Sequence, residues 1–221
     1  GPNEMLKTFK GAVQTDGYAG YNEVSARSDI TELACMAHAR RYFDKALVQD
    51  EERAGWMMEQ IQILYKIEAR ARDEGLSYEN RFLLRKEQSV PVLNEMKKWL
   101  DEKLSEVLPS SLLGKAIGYM VKRWSALNRY LVDGRYEIDN NLVENAIRPV
   151  ALGRKNYLFA GSHNGAKRAA MIYSLAATAK MQGLEPQAYL KDVLTKLPDW
   201  PHRQIEDLLP QNVKNSAKLS L

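Results

Sequence analysis

A single glutamate, Glu144, lies among asparagines and ahead of several cations in the stretch EIDNNLVENAIRPVALGRKNYLFAG, residues 137–161. Asparagine is a poor helix former because its amide competes for backbone hydrogen bonds. On a helix, one arc of about 140° would hold Asn140, Asn141, Glu144, Asn145 and Arg148. This face is typical either of a solvated surface with capping residues and an i,i+4 ion pair, or of a carboxylate whose amide neighbours assist in binding a hard cation.

The ends of this helix are predicted from its own residues. Asp139 suits the N-cap, and Pro149 predicts an early end. Arg148, Arg154 and Lys155 would then lie at the helix end and in the following loop. Cations there could bind DNA phosphates, which fixes register without reading sequence, or form an ordinary solvated loop. Tyr157–Phe159 are expected to pack in the core.

A second carboxylate follows a short predicted strand. GAVQT (11–15) has strand character and stops at Asp16-Gly17. A strand end would deliver the Asp16 side chain rigidly to the edge of a site. Asp-Gly is equally a common turn dipeptide, so a purely structural role remains open.

A basic block, AHARRYF, follows a second strand expected within residues 30–37. Arg40 or Arg41 could contact phosphate, and His38 could orient a water molecule or the DNA end. Alternatively, His38 packs beneath the sheet while the arginines pair with nearby acids.

The rest of the chain is predicted to be mostly α-helical. Apolar residues recur at helical spacing in three segments, around 56–68, 93–107 and 113–131. Gly183 should close a helix over 166–182, and Glu185-Pro186 should start another running to about Leu197. The helices after residue 45 carry basic residues that could contact DNA or form solvated faces with neighbouring glutamates, namely Lys66, Arg70, Arg72, Arg81, Arg85 and Lys86.

Composition limits the functional classes. The chain has 221 residues, 45% of them hydrophobic, and a net charge of +4, which permits a polyanionic partner. One cysteine excludes an intramolecular disulfide and a cysteine-rich zinc site, and fits a reducing compartment. The sequence shows no membrane-spanning run and no signal peptide. It also shows no Gly-rich phosphate loop, which disfavours a nucleotide-dependent small-molecule enzyme.

Four blocks, in order, resemble the transposases of the bacterial insertion-sequence family number sixty-six. The resemblance covers about residues 11–210, and the blocks are QTDGYAGYNEV, ELACMAHARRYF, EIDNNLVENAIRPVALGRKNYLFAGS and GLEPQAYLKDVLTKLPDWP with IEDLLP. It implies a DDE-type enzyme with a ribonuclease H-like core, in the bacterial cytoplasm, that cuts and joins DNA. Three acidic residues would hold two Mg²⁺ or Mn²⁺ ions. Asp16 matches the second acidic residue and Glu144 the third, with Asn140 and Asn141 as supporting neighbours.

The same resemblance predicts how the chain is divided. The fold class expected is mostly α, the C-terminal part of a ribonuclease H-like core with about two strands and a large helical insertion. The expected segments are a linker or cleavage remnant (1–10), partial core (11–44), helical insertion (45–132), the rest of the core with Glu144 (133–197) and a tail (198–221).

The first acidic residue is expected upstream of this sequence, so the chain alone should be inactive. A shortened sheet exposes an edge, which predicts self-association into a homo-oligomer or disorder near residues 1–30. A non-catalytic DNA-binding or assembly module is the alternative, with Asp16 and Glu144 purely structural.

Overall fold

The computed structural model describes residues 1–216, and it is mostly helical with one small sheet, as predicted. The chain divides into two compact units, Gly1–Leu142 and Val143–Leu221. The end of the predicted tail, beyond residue 216, lies outside the described residues. No helix in the described part of the chain is long and apolar enough to cross a membrane.

The sheet has two parallel strands, β1 (Gly11–Thr15) and β2 (Ile30–Ala34), paired from Gly11↔Ile30 to Thr15↔Ala34. Both strands lie where the sequence predicted them, at 11–15 and within 30–37. Parallel pairing requires a crossover of a dozen or more residues, and the segment between Thr15 and Ile30 supplies it. Since the strands are parallel, their carboxyl ends meet at one edge, where Asp16 and Cys35 follow.

The first unit is otherwise helical. Its helices are α1 (Pro2–Met5), α2 (Asn22–Ser25), α3 (Met36–Ala46), α4 (Glu51–Asp73), α5 (Tyr78–Leu84), α6 (Val90–Leu104), α7 (Leu112–Lys122) and α8 (Trp124–Asn128). Shorter helical turns are Ala19–Tyr21, the π-turn Arg85–Ser89 and Arg129–Val132.

One apolar core joins the sheet to the helices of this unit. Its fully buried side chains include Met36, Phe43, Met57, Ile61, Leu64, Met96, Leu100, Ile117 and Met120. They come from α3, α4, α6 and α7 at the spacing that places one helix face inward. Burying each such side chain contributes about 1.5–3 kcal/mol, and Leu33 and Ala34 of β2 belong to the same core.

The third apolar segment, around 113–131, was expected to be one continuous helix, and this is wrong. The segment breaks at Arg123, which has φ −108° and ψ 8°, between α7 and α8. Apolar residues keep helical spacing on both sides of this break, so the sequence pattern did not indicate it. The break leaves Arg123 at the end of α7, where its side chain reaches the turn after β1.

A buried ionic cluster holds the loop that follows α8. Glu68 on α4 is fully buried and accepts hydrogen bonds from Arg81 and Arg85 at 2.6–2.9 Å. Arg85, also fully buried, donates to the carbonyls of Tyr130, Asp133 and Tyr136. A solvated face is therefore wrong for Glu68, and both sequence interpretations, DNA contact and a solvated face, are wrong for Arg81 and Arg85. Charge alone does not reveal that three such residues face one another across different helices.

The second unit contains most of α9 (Asn141–Tyr157), then α10 (His163–Met181), α11 (Pro186–Lys196) and α12 (Pro210–Ser216), with short 3₁₀ turns at Leu197–Asp199 and His202–Leu208. The predicted punctuation is confirmed here. Gly183 has φ +72°, and Glu185 caps α11 by accepting from the amides of Gln187 and Ala188.

Candidate active site

Asp16 lies exposed in the turn that leaves β1. Its Oδ1 accepts a hydrogen bond from the Tyr18 amide at 2.8 Å, and Gly17 has φ +87°. Glycine is required at Gly17 because side chains rarely adopt this conformation and a Cβ would overlap the Arg123 guanidinium. The turn interpretation and the site interpretation are therefore compatible: a rigid turn presents the carboxylate at the strand end.

The turn is held from α7, which sequence reasoning did not anticipate. The Tyr119 hydroxyl donates to the Asp16 carbonyl at 3.1 Å, and Arg123 Nη2 donates to the Gly17 carbonyl at 2.9 Å. Arg123 also lies 3.7 Å from the Glu32 carboxylate on β2. These pairs are separated by about a hundred residues in sequence, so no local pattern could have identified them.

The basic block predicted after β2 lies on α3. His38 is half-buried, whereas Arg40 and Arg41 are exposed. Arg41 Nη1 lies 3.1 Å from His38 Nε2, so the guanidinium donates to the ring nitrogen. Arg40 lines a small cavity of about 310 Å³ beside Tyr65 on α4. Their predicted roles in DNA binding stay predictions.

The segment that leads into α9 is fixed against the strand ends. The Gln14 side chain donates to the Glu137 carbonyl at 2.9 Å, and the Met36 amide donates to the Ile138 carbonyl at 3.1 Å. The Asn140 amide donates to the Cys35 thiol at 3.5 Å. Burial raises the pKa of the Cys35 thiol, so it accepts this bond as a neutral group.

Asp139 organises the start of α9. It accepts from the Tyr65 hydroxyl at 2.6 Å and from both the backbone and side-chain amides of Asn141, at 3.0 and 2.7 Å. Burial and the Asp139 carboxylate raise the pKa of Tyr65, which keeps its hydroxyl a donor. Asn141 thus has a local capping partner, and Asn140 lies just before the helix. Among the described residues, the buried Oδ1 of Asn140 has no hydrogen-bond partner. Their role beside a metal stays a prediction.

α9 is longer than predicted, because Pro149 does not end it. The helix continues for eight residues beyond the proline, to Tyr157. Proline removes one intrahelical hydrogen bond, and the good helix formers around it sustain the rest. Arg148 therefore lies within the helix, and Arg154 and Lys155 lie in its last turn and not in a loop.

The longer helix changes how its charges are arranged. Glu144, Arg148 and Lys155 fall within about 40° of one another around the axis and span about 16 Å along it. Glu144 is half-buried, and the two cations are exposed. One face of α9 thus carries the candidate carboxylate and a line of positive charge.

Tyr157–Phe159 were expected in the core, and this is wrong. Tyr157, Leu158 and Phe159 are 45%, 71% and 76% exposed. They lie at the end of α9, where Leu158 takes a left-handed conformation with φ 64°, and they line an apolar groove of about 670 Å³ beside α10. Arg154 lines the same groove.

The described residues contain no cluster of three or more His, Cys, Asp or Glu side chains that could hold a metal ion. The two candidate ligands are carboxylates, whose hard oxygens suit Mg²⁺ or Mn²⁺. Mg²⁺ is commonly held by one or two protein carboxylates together with substrate phosphates. The donor chemistry of Asp16 and Glu144 fits that pattern.

Three proteins of one bacterial strain, each described as an uncharacterized protein, are similar to this chain. The protein y4hP of Sinorhizobium fredii (strain NBRC 101917 / NGR234) is 35% identical over 98% of this chain and 42% of its own length. Proteins y4jD and y4qI of the same strain are each 37% identical, over 95% and 96% of this chain. The chain therefore spans about two fifths of the length of these relatives. No solved structure matches it.

Two family models account for nearly all of the chain. The model described as "Transposase IS66 family" matches residues 1–168, and "IS66 C-terminal element" matches residues 174–211. Both the turn with Asp16 and the helix with Glu144 lie inside the first match. The predicted resemblance is confirmed, and the chain belongs to the IS66 family of transposases.

Proposed function

We propose that this chain is the C-terminal part of a catalytic domain that uses divalent metal ions to cleave and join DNA strands at the ends of an insertion sequence. In this proposal Asp16 and Glu144 are metal ligands on a ribonuclease H-like core. Family membership supports the transposase role, and the residue assignments are our own.

The observation that carries the assignment is the attachment of the segment before α9 to the strand ends. Glu137, Ile138 and Asn140 bond to Gln14, Met36 and Cys35, which flank the carboxyl ends of β1 and β2. Ligands commonly bind at the carboxyl ends of strands in open α/β sheets. The first unit thus places Asp16 and the entry to the Glu144 helix at the same sheet edge.

Each group has a distinct task in this proposal. Asp16 and Glu144 would hold the metal, with phosphate oxygens of the DNA completing its coordination. When bound, the metal supplies Lewis-acid stabilisation of the phosphate and a more reactive hydroxyl group. Arg148 and Lys155 would bind phosphates along the DNA, which positions the strand beside Glu144. A covalent enzyme intermediate is unnecessary, so no nucleophilic side chain is required.

The direct test is a crystal of the chain with DNA and Mn²⁺, in which anomalous scattering locates the metal. We expect manganese bound by both Asp16 and Glu144, and loss of the signal in Asp16→Asn and Glu144→Gln variants. Manganese elsewhere, with the two carboxylates facing different surfaces, would overturn the assignment. DNA affinity unaffected by metal and by both substitutions would favour the non-catalytic module.

Charge on α9 gives a separate prediction for DNA binding. Arg148→Ala and Lys155→Ala should each weaken DNA binding similarly for all sequences, and each should reduce the slope of log affinity against log salt by about one. Fluorescence anisotropy with a short duplex at several salt concentrations measures both quantities. Lys98→Ala, which removes an exposed cation on α6, is the matched control and should leave the slope unchanged. An unchanged slope in all three variants would exclude this face from the interface.

A further inference from the structure

Two side chains of α7 bind the main chain of the turn that carries Asp16. The Tyr119 hydroxyl donates to the Asp16 carbonyl, and Arg123 donates to the Gly17 carbonyl. We propose that Tyr119 and Arg123 are positioning residues, which set the direction of the Asp16 carboxylate by holding two consecutive peptide groups. Neither contact is with the carboxylate itself. The inference rests on the proposed role of Asp16 as a metal ligand.

Peptide planarity links these contacts to the carboxylate. The Gly17 carbonyl and the Tyr18 amide belong to one planar unit, so holding the carbonyl fixes the direction of the N–H. That N–H donates to Asp16 Oδ1 at 2.8 Å. Arg123 therefore orients the carboxylate through a single rigid peptide group.

The preceding peptide group is held in the same way from both sides. In the peptide group between Asp16 and Gly17, the Asp16 carbonyl accepts a hydrogen bond from the Tyr119 hydroxyl. The Gly17 amide of the same peptide group donates to Thr15 Oγ1 at 3.3 Å. Thr15 is buried at the end of β1, so one side of this peptide is attached to the sheet and the other to α7. Two adjacent peptide planes with four hydrogen bonds leave the turn little freedom.

Arg123 and Tyr119 are themselves held in place. The Glu32 carboxylate pairs with Arg123 at 3.7 Å and accepts from the Thr15 hydroxyl at 3.1 Å. The Arg123 guanidinium carbon lies 5.3 Å from the centre of the Tyr119 ring. The predicted helical insertion thereby acquires a role in shaping the candidate site.

Local hydrogen exchange tests the proposal without requiring activity. In the 221-residue chain, Tyr119→Phe and Arg123→Gln should each accelerate exchange of the Tyr18 amide by about 5–10-fold, as expected for loss of one hydrogen bond. Core amides on α4 and α6 should keep their exchange rates. Arg123→Lys should not restore slow exchange of the Tyr18 amide, because the lysine ammonium group lacks the planar arrangement of several N–H donors in guanidinium.

Tyr189→Phe is the matched control. It also removes a tyrosine hydroxyl that donates to a main-chain carbonyl, that of Leu208, but in the second unit. It should leave the Tyr18 amide unchanged. If Tyr119→Phe and Arg123→Gln leave Tyr18 unchanged, or accelerate core amides equally, the positioning role is wrong and the contacts serve general stability.

A Mn²⁺ titration followed by amide line broadening separates this inference from the proposed function. In the wild-type chain, Mn²⁺ should broaden the Gly17 and Tyr18 signals, and Asp16→Asn should abolish this effect. Arg123→Gln should require several-fold more Mn²⁺ for the same broadening. Without broadening in the wild type, the metal role of Asp16 fails, while the exchange rates still decide whether α7 positions the turn.

Discussion

Replacing Glu68 with alanine is expected to lower the free energy of unfolding of the first unit by about 3–5 kcal/mol. The substitution leaves the fully buried Arg85 with an uncompensated charge, whereas Arg81 keeps its ion pair with Glu137. Arg85 would keep its bonds to the carbonyls of Tyr130, Asp133 and Tyr136, but not the carboxylate that neutralises it. Denaturant unfolding followed by tryptophan fluorescence measures the change.

The Arg70–Glu74 pair provides the control for this experiment. It is also a glutamate–arginine contact, at 2.7 Å, but both side chains are about half exposed. Solvent screening makes such pairs weak, so Glu74→Ala should change stability far less than Glu68→Ala. Equal effects of the two substitutions would show that the buried cluster contributes no more than a surface ion pair.

The contribution of Glu68 to the free energy of unfolding should also depend on pH in a defined direction. Burial alone would raise the pKa of Glu68, but hydrogen bonds and charge from Arg85 and Arg81 outweigh it and hold the pKa below 4.5. A carboxyl with a lowered folded-state pKa stabilises fully above its unfolded value and loses that stabilisation as pH falls through the folded value. The stability difference between wild type and Glu68→Ala should therefore be constant from about pH 5 to 7 and shrink below 4.5.

The second large effect is expected on catalysis. In a protein of the relatives' full length that contains this chain, Asp16→Asn and Glu144→Gln should each reduce metal-dependent strand cleavage about 1000-fold. Loss of a metal ligand removes several kcal/mol of transition-state stabilisation, and about 4 kcal/mol corresponds to that factor. Cleavage of labelled insertion-sequence ends in Mn²⁺ measures the rate.

Two comparisons make this result specific. Glu102→Gln, which removes an exposed carboxylate on α6, should leave the cleavage rate unchanged. The 221-residue chain alone should not nick the same DNA in Mn²⁺, because the proposed chemistry uses three carboxylates and Asp16 and Glu144 supply two. Clear nicking by this chain, abolished by Glu144→Ala, would show that the residues present here suffice.

Sequence alone determined the features that depend on local chemistry. Local residue patterns identified both strands, helical spacing identified the three apolar segments of the first unit, and Gly183 and Glu185 marked a helix end and a helix start. The order of the motifs identified the family. These features could be predicted because they follow from the backbone preferences of each residue and the regular repeat of side chains along a helix or strand.

Tertiary structure decided what these features contact. It showed that α9 continues through Pro149, that Tyr157–Phe159 are exposed, and that Glu68 lies buried between two arginines. It also placed Tyr119 and Arg123 on the turn beside Asp16. Such contacts join residues from 13 to 106 positions apart. These contacts depend on how whole helices pack against one another. The type of a residue and its neighbours in sequence do not indicate which distant residue it will contact.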